Sequence, residues 1–241
     1  MIEKIIQWSR TTEVNDAAIR LYTAFDNSGP DDPYLASTFT TLNAENLKLT
    51  QVIRRTKAES ELEEMDEVRD DKVRALYYLL KGFLHHPTPE IRLTAQALMD
   101  VFNKYGLAIT GESYATESSL IFSLLLDLAA PEYQEAIAAL SGCAELITQL
   151  NNAQGDFEES RLAYETEKAK EGMVENASTV KKQVVSIIND KIVVYLRAMI
   201  EVNPDSYTAF AAICTQIIAD NNEQVKKRRQ KPEAPQPEEV S

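Results

Sequence analysis

This sequence predicts an all-α fold, a helical bundle built from two tandem repeats of about four helices each, and three observations predict it. Apolar residues recur at three- and four-residue steps along most of the chain, the spacing that gathers them on one helical face. Glycine is scarce, seven in 241 residues, while the residues that lose least in a helix (Ala, Leu, Glu and Lys) are abundant. The interruptions fall at prolines that recur in both halves of the chain. A chain this long buries roughly 70% of the surface it exposes when unfolded, enough for a real core.

Each element follows in order. Val14, Ala18, Leu21 and Phe25 form one stripe, and the segment Asn27-Ser-Gly-Pro-Asp-Asp-Pro33 ends it. A second helix starts at Tyr34 and carries Leu35, Phe39, Leu42, Leu49 and Ile53 inward. A turn is expected near Lys57, because Ser60 with Glu63 three residues on reads as a capping box opening a third helix. That helix directs Leu62, Met65, Leu76, Leu80 and Phe83 inward and runs to His85-His86-Pro87. Thr88 as N-cap, Pro89 at the first helical position and Glu90 beside the positive end of the dipole open the fourth. Its stripe is Ile91, Ala95, Leu98, Phe102 and Tyr105, and Gly106 stops it.

The order then repeats. Thr116 to Leu128 is a short helix before Pro131, and a long helix follows with Ile137, Leu140, Leu146, Leu150, Ala153 and Phe157 inward. After a turn between Tyr164 and Ser178, another helix to Val202 places Met173, Ala177, Val180, Val184, Ile187 and Val194 on one face. Asn203-Pro204 opens the last, with Tyr207, Phe210, Cys214 and Ile217 in line. At one constant offset Pro87 pairs with Pro204, Leu93 with Phe210, Ala97 with Cys214 and Val101 with Ile218; Pro33 pairs with Pro131 at a smaller one. Two copies suggest a pseudo-twofold bundle, each burying the other's apolar face. The second copy carries extra residues around Asp156 to Asn176, rich in alternating Glu and Lys/Arg, which predicts a longer projecting hairpin of coiled-coil type. The expected organisation is a first repeat over 1–108, a second with the extended hairpin over 109–224, and a disordered charged, Pro-rich tail over 225–241.

The chemistry that this composition argues against is as informative as the fold. With 25 Lys+Arg against 38 Asp+Glu the net charge is −13, and such a surface repels a phosphate backbone, so no nucleic-acid partner is expected. The opening residues show no signal peptide, and the most apolar run, Leu120 to Leu128, is about half the length of a membrane span; no membrane partner and a cytoplasmic location are expected. The only histidines, His85 and His86, are adjacent, point about 100° apart on a helix and read as a helix C-terminus whose imidazoles favour the dipole and bond the last carbonyls. No Glu stands three residues before either, which argues against a carboxylate-bridged metal pair. The acids Glu59, Glu61, Glu63, Glu64, Asp66, Glu67, Asp70 and Asp71 read as a solvated helix face. Cys143 and Cys214 read as buried, unreactive thiols, the ten tyrosines as core edges with hydroxyls toward water, and Lys226 to Arg229 as a solvated tail. No catalytic, cofactor-binding or metal-ligating residue is assigned, and no cofactor is expected.

Three stretches carry a family resemblance: Arg10-Thr-Thr-Glu13, the helix from Pro89-Glu90-Ile-Arg92 to Val101-Phe102-Asn-Lys-Tyr105-Gly106, and Leu124-Leu-Leu-Asp127-Leu128. On them the chain resembles an uncharacterised all-helical family, a domain of unknown function, of Bacteroidetes-type bacteria. It departs from that pattern where Ser9 stands in place of a Leu and where Val14-Asn15 replace an aromatic pair. The resemblance implies no activity. The function expected from the residues is that of a non-enzymatic protein–protein interaction or scaffold bundle, with a protein partner or self-association. The alternative is a small-molecule or metal binder with its pocket between the repeats, lined by Arg10, Glu13 or Tyr105.

Overall fold

The computed structural model describes residues 2–171 and 176–230, and among the described residues there is no β-strand. The helices are α1 (Thr11–Ser28), α2 (Pro33–Phe83), α3 (Pro89–Asn103), α4 (Tyr114–Leu128), α5 (Pro131–Ala139), α6 (Cys143–Glu171), α7 (Ala177–Ser186), α8 (Val193–Val202) and α9 (Pro204–Gln230). A 3₁₀ turn, Leu107–Gly111, follows α3, and a π-helical turn, Ile187–Ile192, joins α7 to α8. The chain divides into two compact units, Met1–Thr56 with Ala169–Ser241, and Lys57–Lys168. The boundary expected at 108/109 lies inside the second of these.

In the first unit, α1, the N-terminal part of α2 and α7 to α9 enclose a core that includes Ile2, Ile5, Leu21, Leu35, Phe39 and Phe210. The rings of Phe25 and Phe39 stack at 4.4 Å, and Phe210 meets both edge-on at 5.8 and 5.9 Å, the offsets that aromatic quadrupoles favour. In the second unit, the rest of α2 with α3, α4, α5 and the start of α6 encloses Leu76, Leu98, Phe102, Ile121, Leu124 and Leu150.

Four local expectations are corrected, each for a physical reason. No turn occurs near Lys57: α2 is one helix of 51 residues, because no Gly or Pro interrupts the sequence between Pro33 and Gly82, and Ser60 lies mid-helix. The long helix expected after Pro131 is two, broken where Gly142 takes φ +83°, a conformation that disfavours any side chain. Val194 faces outward, 48% exposed, while Val193 and Leu196 are fully buried. The π turn is the cause: its i→i+5 bonding advances the face by about one residue, so the buried series runs Val180, Val184, Ile188, Ile192, Leu196. Residues 225–230 belong to α9, held there by buried Val225 and by Arg228, which pairs with Glu13 and donates to the Trp8 carbonyl. The remainder of the expected tail, 231–241, and the turn of the expected hairpin at 172–175 lie outside the described residues.

The residue pairs expected to correspond between the two halves differ in burial. Leu93 is 72% exposed whereas Phe210 is 2% exposed, and Ala97 is exposed whereas Cys214 is buried. Shifted by one residue, the buried positions coincide: Ala95 with Ala211, Leu98 with Cys214, Val101 with Ile217 and Phe102 with Ile218.

Candidate functional site

The residues before α1 form a strap rather than a frayed end. Ile2 and Ile5 are each 2% exposed and Ser9 is fully buried, all within the first unit. The strap is held through its main chain. Asn189 accepts from the Ile5 N–H at 2.7 Å and donates to the Ile5 carbonyl at 3.0 Å. Asn222 accepts from the Ile6 N–H at 3.0 Å and donates to the Lys4 carbonyl at 2.9 Å. One residue's N–H and C=O meet one amide, and the flanking groups meet the other. That is the alternation of a β-strand, with two side-chain amides standing where neighbouring strands would be. Arg197 donates to the Ile2 carbonyl, and the Lys181 ammonium to the Ser9 carbonyl at 2.7 Å. Ser9 donates to the Ile6 carbonyl at 2.8 Å and accepts from Asn221 at 3.1 Å.

The helices supply these groups because of their register. Asn189 sits in the π turn and is 6% exposed; Asn221 and Asn222 continue the buried stripe of Cys214 and Ile217/Ile218 on α9. Around the strap Lys4 pairs with Asp190 at 2.7 Å, and Arg229 lies 5.5 Å from the Trp8 ring. The basic cluster at the end of α9 is therefore partly engaged with the N-terminal segment, against the expectation of a solvated tail.

A second polar cluster lies in the other unit. Arg69, fully buried, donates to Asp66 at 2.6 Å, to Glu117 at 2.9 Å, to Ser118 at 3.0 Å and to Gln154 at 3.3 Å, and its guanidinium carbon lies 3.6 Å from the Phe157 ring centre. Arg74 reaches Asp70 at 2.7 Å. Burial, a hydrogen bond to Asp70 and the nearby carboxylates push Glu117 up to about 8, against the pull of Arg69. Glu117 therefore holds its proton far more tightly than an ordinary carboxylic acid, beside Asp70, while the guanidinium groups of Arg69 and Arg74 bond Asp66 and Asp70. The acidic run expected as a solvated face is divided: Asp66 and Asp70 serve this cluster, and Glu59, Glu61, Glu63, Glu64, Glu67 and Asp71 are exposed.

In the first unit Asp32 caps α2, accepting from the Leu35 N–H at 3.0 Å, and receives the hydroxyls of Tyr195 at 2.6 Å and Tyr207 at 2.5 Å. Burial alone would raise Asp32; these donors outweigh it and hold the carboxyl below its ordinary value. Tyr207, the buried tyrosine, and half-buried Tyr195 are therefore bonded to a carboxylate rather than turned to water.

The other residues considered in the sequence fall as follows. Arg10 and Glu13 open α1 in the first unit, where the Arg10 N–H donates to Glu13 at 2.6 Å. Tyr105 lies in the second unit and donates to Asp127 at 2.9 Å. His86 Nδ1 accepts from the Thr88 N–H at 3.1 Å, and Arg92, not imidazole, donates to the His86 and Pro87 carbonyls. Cys143 and Cys214 are free and buried, and burial pushes their thiols to about 11 and about 12. Among the described residues no three or more His, Cys, Asp or Glu are grouped to hold a metal, and no helix is long and apolar enough to cross a membrane. Sequence reasoning missed Arg69, Glu117, Asn189, Asn221 and Asn222. The signal was a polar residue standing in an apolar stripe: Glu117 precedes Ile121, Leu124 and Leu128 on one face, and Arg69 precedes Val73, Leu76 and Leu80.

A family model, DUF6261, described as a family of unknown function, matches residues 59–217, and the chain belongs to that family. No curated protein and no solved structure matches the chain.

Proposed function

We propose that this member of the DUF6261 family is a non-enzymatic protein–protein interaction module whose first unit binds a strand-like peptide segment between α7 and α9. One observation carries the reading: Asn189 and Asn222 grip Lys4, Ile5 and Ile6 through main-chain N–H and C=O groups, while Ile2 and Ile5 fill the core beneath. Main-chain recognition with apolar anchors is how extended peptides are held elsewhere, by added strands, and it tolerates varied sequences. The occupant here is the chain's own N-terminus. The partner is either the same segment of a second copy, giving self-association by exchange, or an extended segment of another protein with an apolar–x–x–apolar pair like Ile2 and Ile5.

Two further features support an interaction role. The coinciding buried registers of α3 and α9 favour an origin in two repeats, with one of these helices in each unit. The outer part of α6 carries mostly exposed charged residues and an exposed Leu162, which suits a second protein-facing surface for the expected hairpin.

The test is a variant lacking residues 1–9, checked for retained helicity, titrated with a labelled peptide of sequence 1–10. Saturable uptake, lost when Asn189 and Asn222 are both replaced by Ala, is expected. A peptide that never saturates, or that binds the double-Ala variant equally, overturns the reading.

A further inference from the structure

A cavity of about 440 Å³ opens beside the strap in the first unit, within the range of small-molecule sites. Its lining residues include three lysines, Lys4, Lys181 and Lys182, against one acidic residue, Asp190. This balance runs opposite to the chain as a whole, whose net charge is −13. Asp190 is already matched by Lys4, and Lys181 gives one of its three donors to Ser9. Lys182 is exposed and has no ion-pair partner among the described residues. Apolar surface completes the lining: Val185, and the side chain of Trp8, which is 65% exposed although it is the largest apolar ring in the chain. An exposed indole beside uncompensated ammonium groups is the lining that a flat, negatively charged organic molecule needs, with the ring against indole and the anion toward lysine.

We propose that this cavity binds a small aromatic anion, its ring against Trp8 and its phosphate or carboxylate toward Lys182, the lysine of the wall without an ion-pair partner among the described residues. The proposal stands apart from the peptide reading, since it needs the strap in place: Lys4 and Trp8 belong to the strap and form part of the wall. Concave walls concentrate the potential of these cations, so affinity falls as salt rises.

Trp8 is the only tryptophan, so its fluorescence in the intact chain reports directly on the cavity. Phenyl phosphate is the probe, with inorganic phosphate and neutral phenol as the separating arms. Saturable quenching by phenyl phosphate is expected, weakened about tenfold or more by Lys182→Glu, a reversal that leaves the Ser9 and Asp190 contacts untouched. Inorganic phosphate alone is expected to bind more weakly and to leave the emission nearly unchanged. Equal quenching by phenol removes the role of charge, and equal affinity for inorganic phosphate removes the role of the ring; either result overturns the proposal. So does the absence of saturation, or a Lys182→Glu variant that binds as the parent does.

Discussion

At the scale of single residues, the buried ionisable groups set how stability depends on pH. Glu117 has its folded value raised to about 8 from an ordinary 4.5. The folded chain therefore holds a proton that the unfolded chain releases, and the stability tied to it is complete below pH 4.5 and lost as pH rises through about 8. Glu117→Gln keeps the shape of the protonated acid: its amide NH₂ donates to Asp70 and its oxygen accepts from Arg69. The variant is expected to melt at the same temperature as the parent near pH 4.5 and above it at pH 9, measured as the difference in Tm between the two proteins at each pH. A difference that does not grow with pH would show that Glu117 ionises normally. Arg69→Met is expected to cost about 3–5 kcal/mol in denaturant titration, because it removes the guanidinium that Asp66 and buried Glu117 share and leaves Arg74 as the cation on Asp70 alone. Asp32 behaves oppositely. Its carboxyl is held below the ordinary value, so its contribution is present above the ordinary carboxylate range and lost as pH falls through the lowered folded value.

At the scale of elements, the sequence and the structure part where a local signal competes with a long-range one. Ser60 and Glu63 match a capping box, yet the helix runs through them, because a cap is needed only where a helix has to start. Glu61→Pro separates the two cases. As the first residue of a new helix, proline at 61 would be nearly free; inside a continuous helix it removes a hydrogen bond and clashes with the preceding turn, at about 3 kcal/mol or more. The larger cost is expected, read as a fall in the denaturant midpoint at unchanged slope. The stripes of α3 and α9 were legible because their proline openings and three-four spacing agree, and that of α1 by its spacing alone. The π turn was not, since nothing in Ile187-Ile-Asn-Asp-Lys-Ile192 distinguishes i→i+5 from i→i+4 bonding until Asn189 finds Ile5, a residue far away in sequence. The same distance hid the candidate site. An asparagine in an apolar stripe is visible in the sequence, but the main-chain groups that satisfy it belong to a segment whose own pattern is too short to read.

At the scale of the whole molecule, two cores with separate polar clusters call for two separable responses to damage. The strap closes only the first core, through hydrogen bonds that no other residue can replace: without the Asn189 amide, the Ile5 N–H and C=O lie buried and unpaired. Asn189→Ala is therefore expected to cost about 2–4 kcal/mol in the first unit, from two lost bonds and two stranded main-chain groups. Hydrogen exchange localises the effect. Amides of α1, α7, α8 and α9 are expected to exchange faster by roughly the factor that this free energy implies, while those of α3, α4 and α5, whose core includes Phe102 and Leu124, keep the parent's rates. Faster exchange spread evenly over both sets would mean that the chain opens as one cooperative body and that the strap is part of a single core. Faster exchange confined to residues 2–9 would mean that the strap detaches without loosening the helices. In that case its hold on α7 and α9 would be that of a ligand rather than of a core element, and the peptide site would be open to competition in the folded protein.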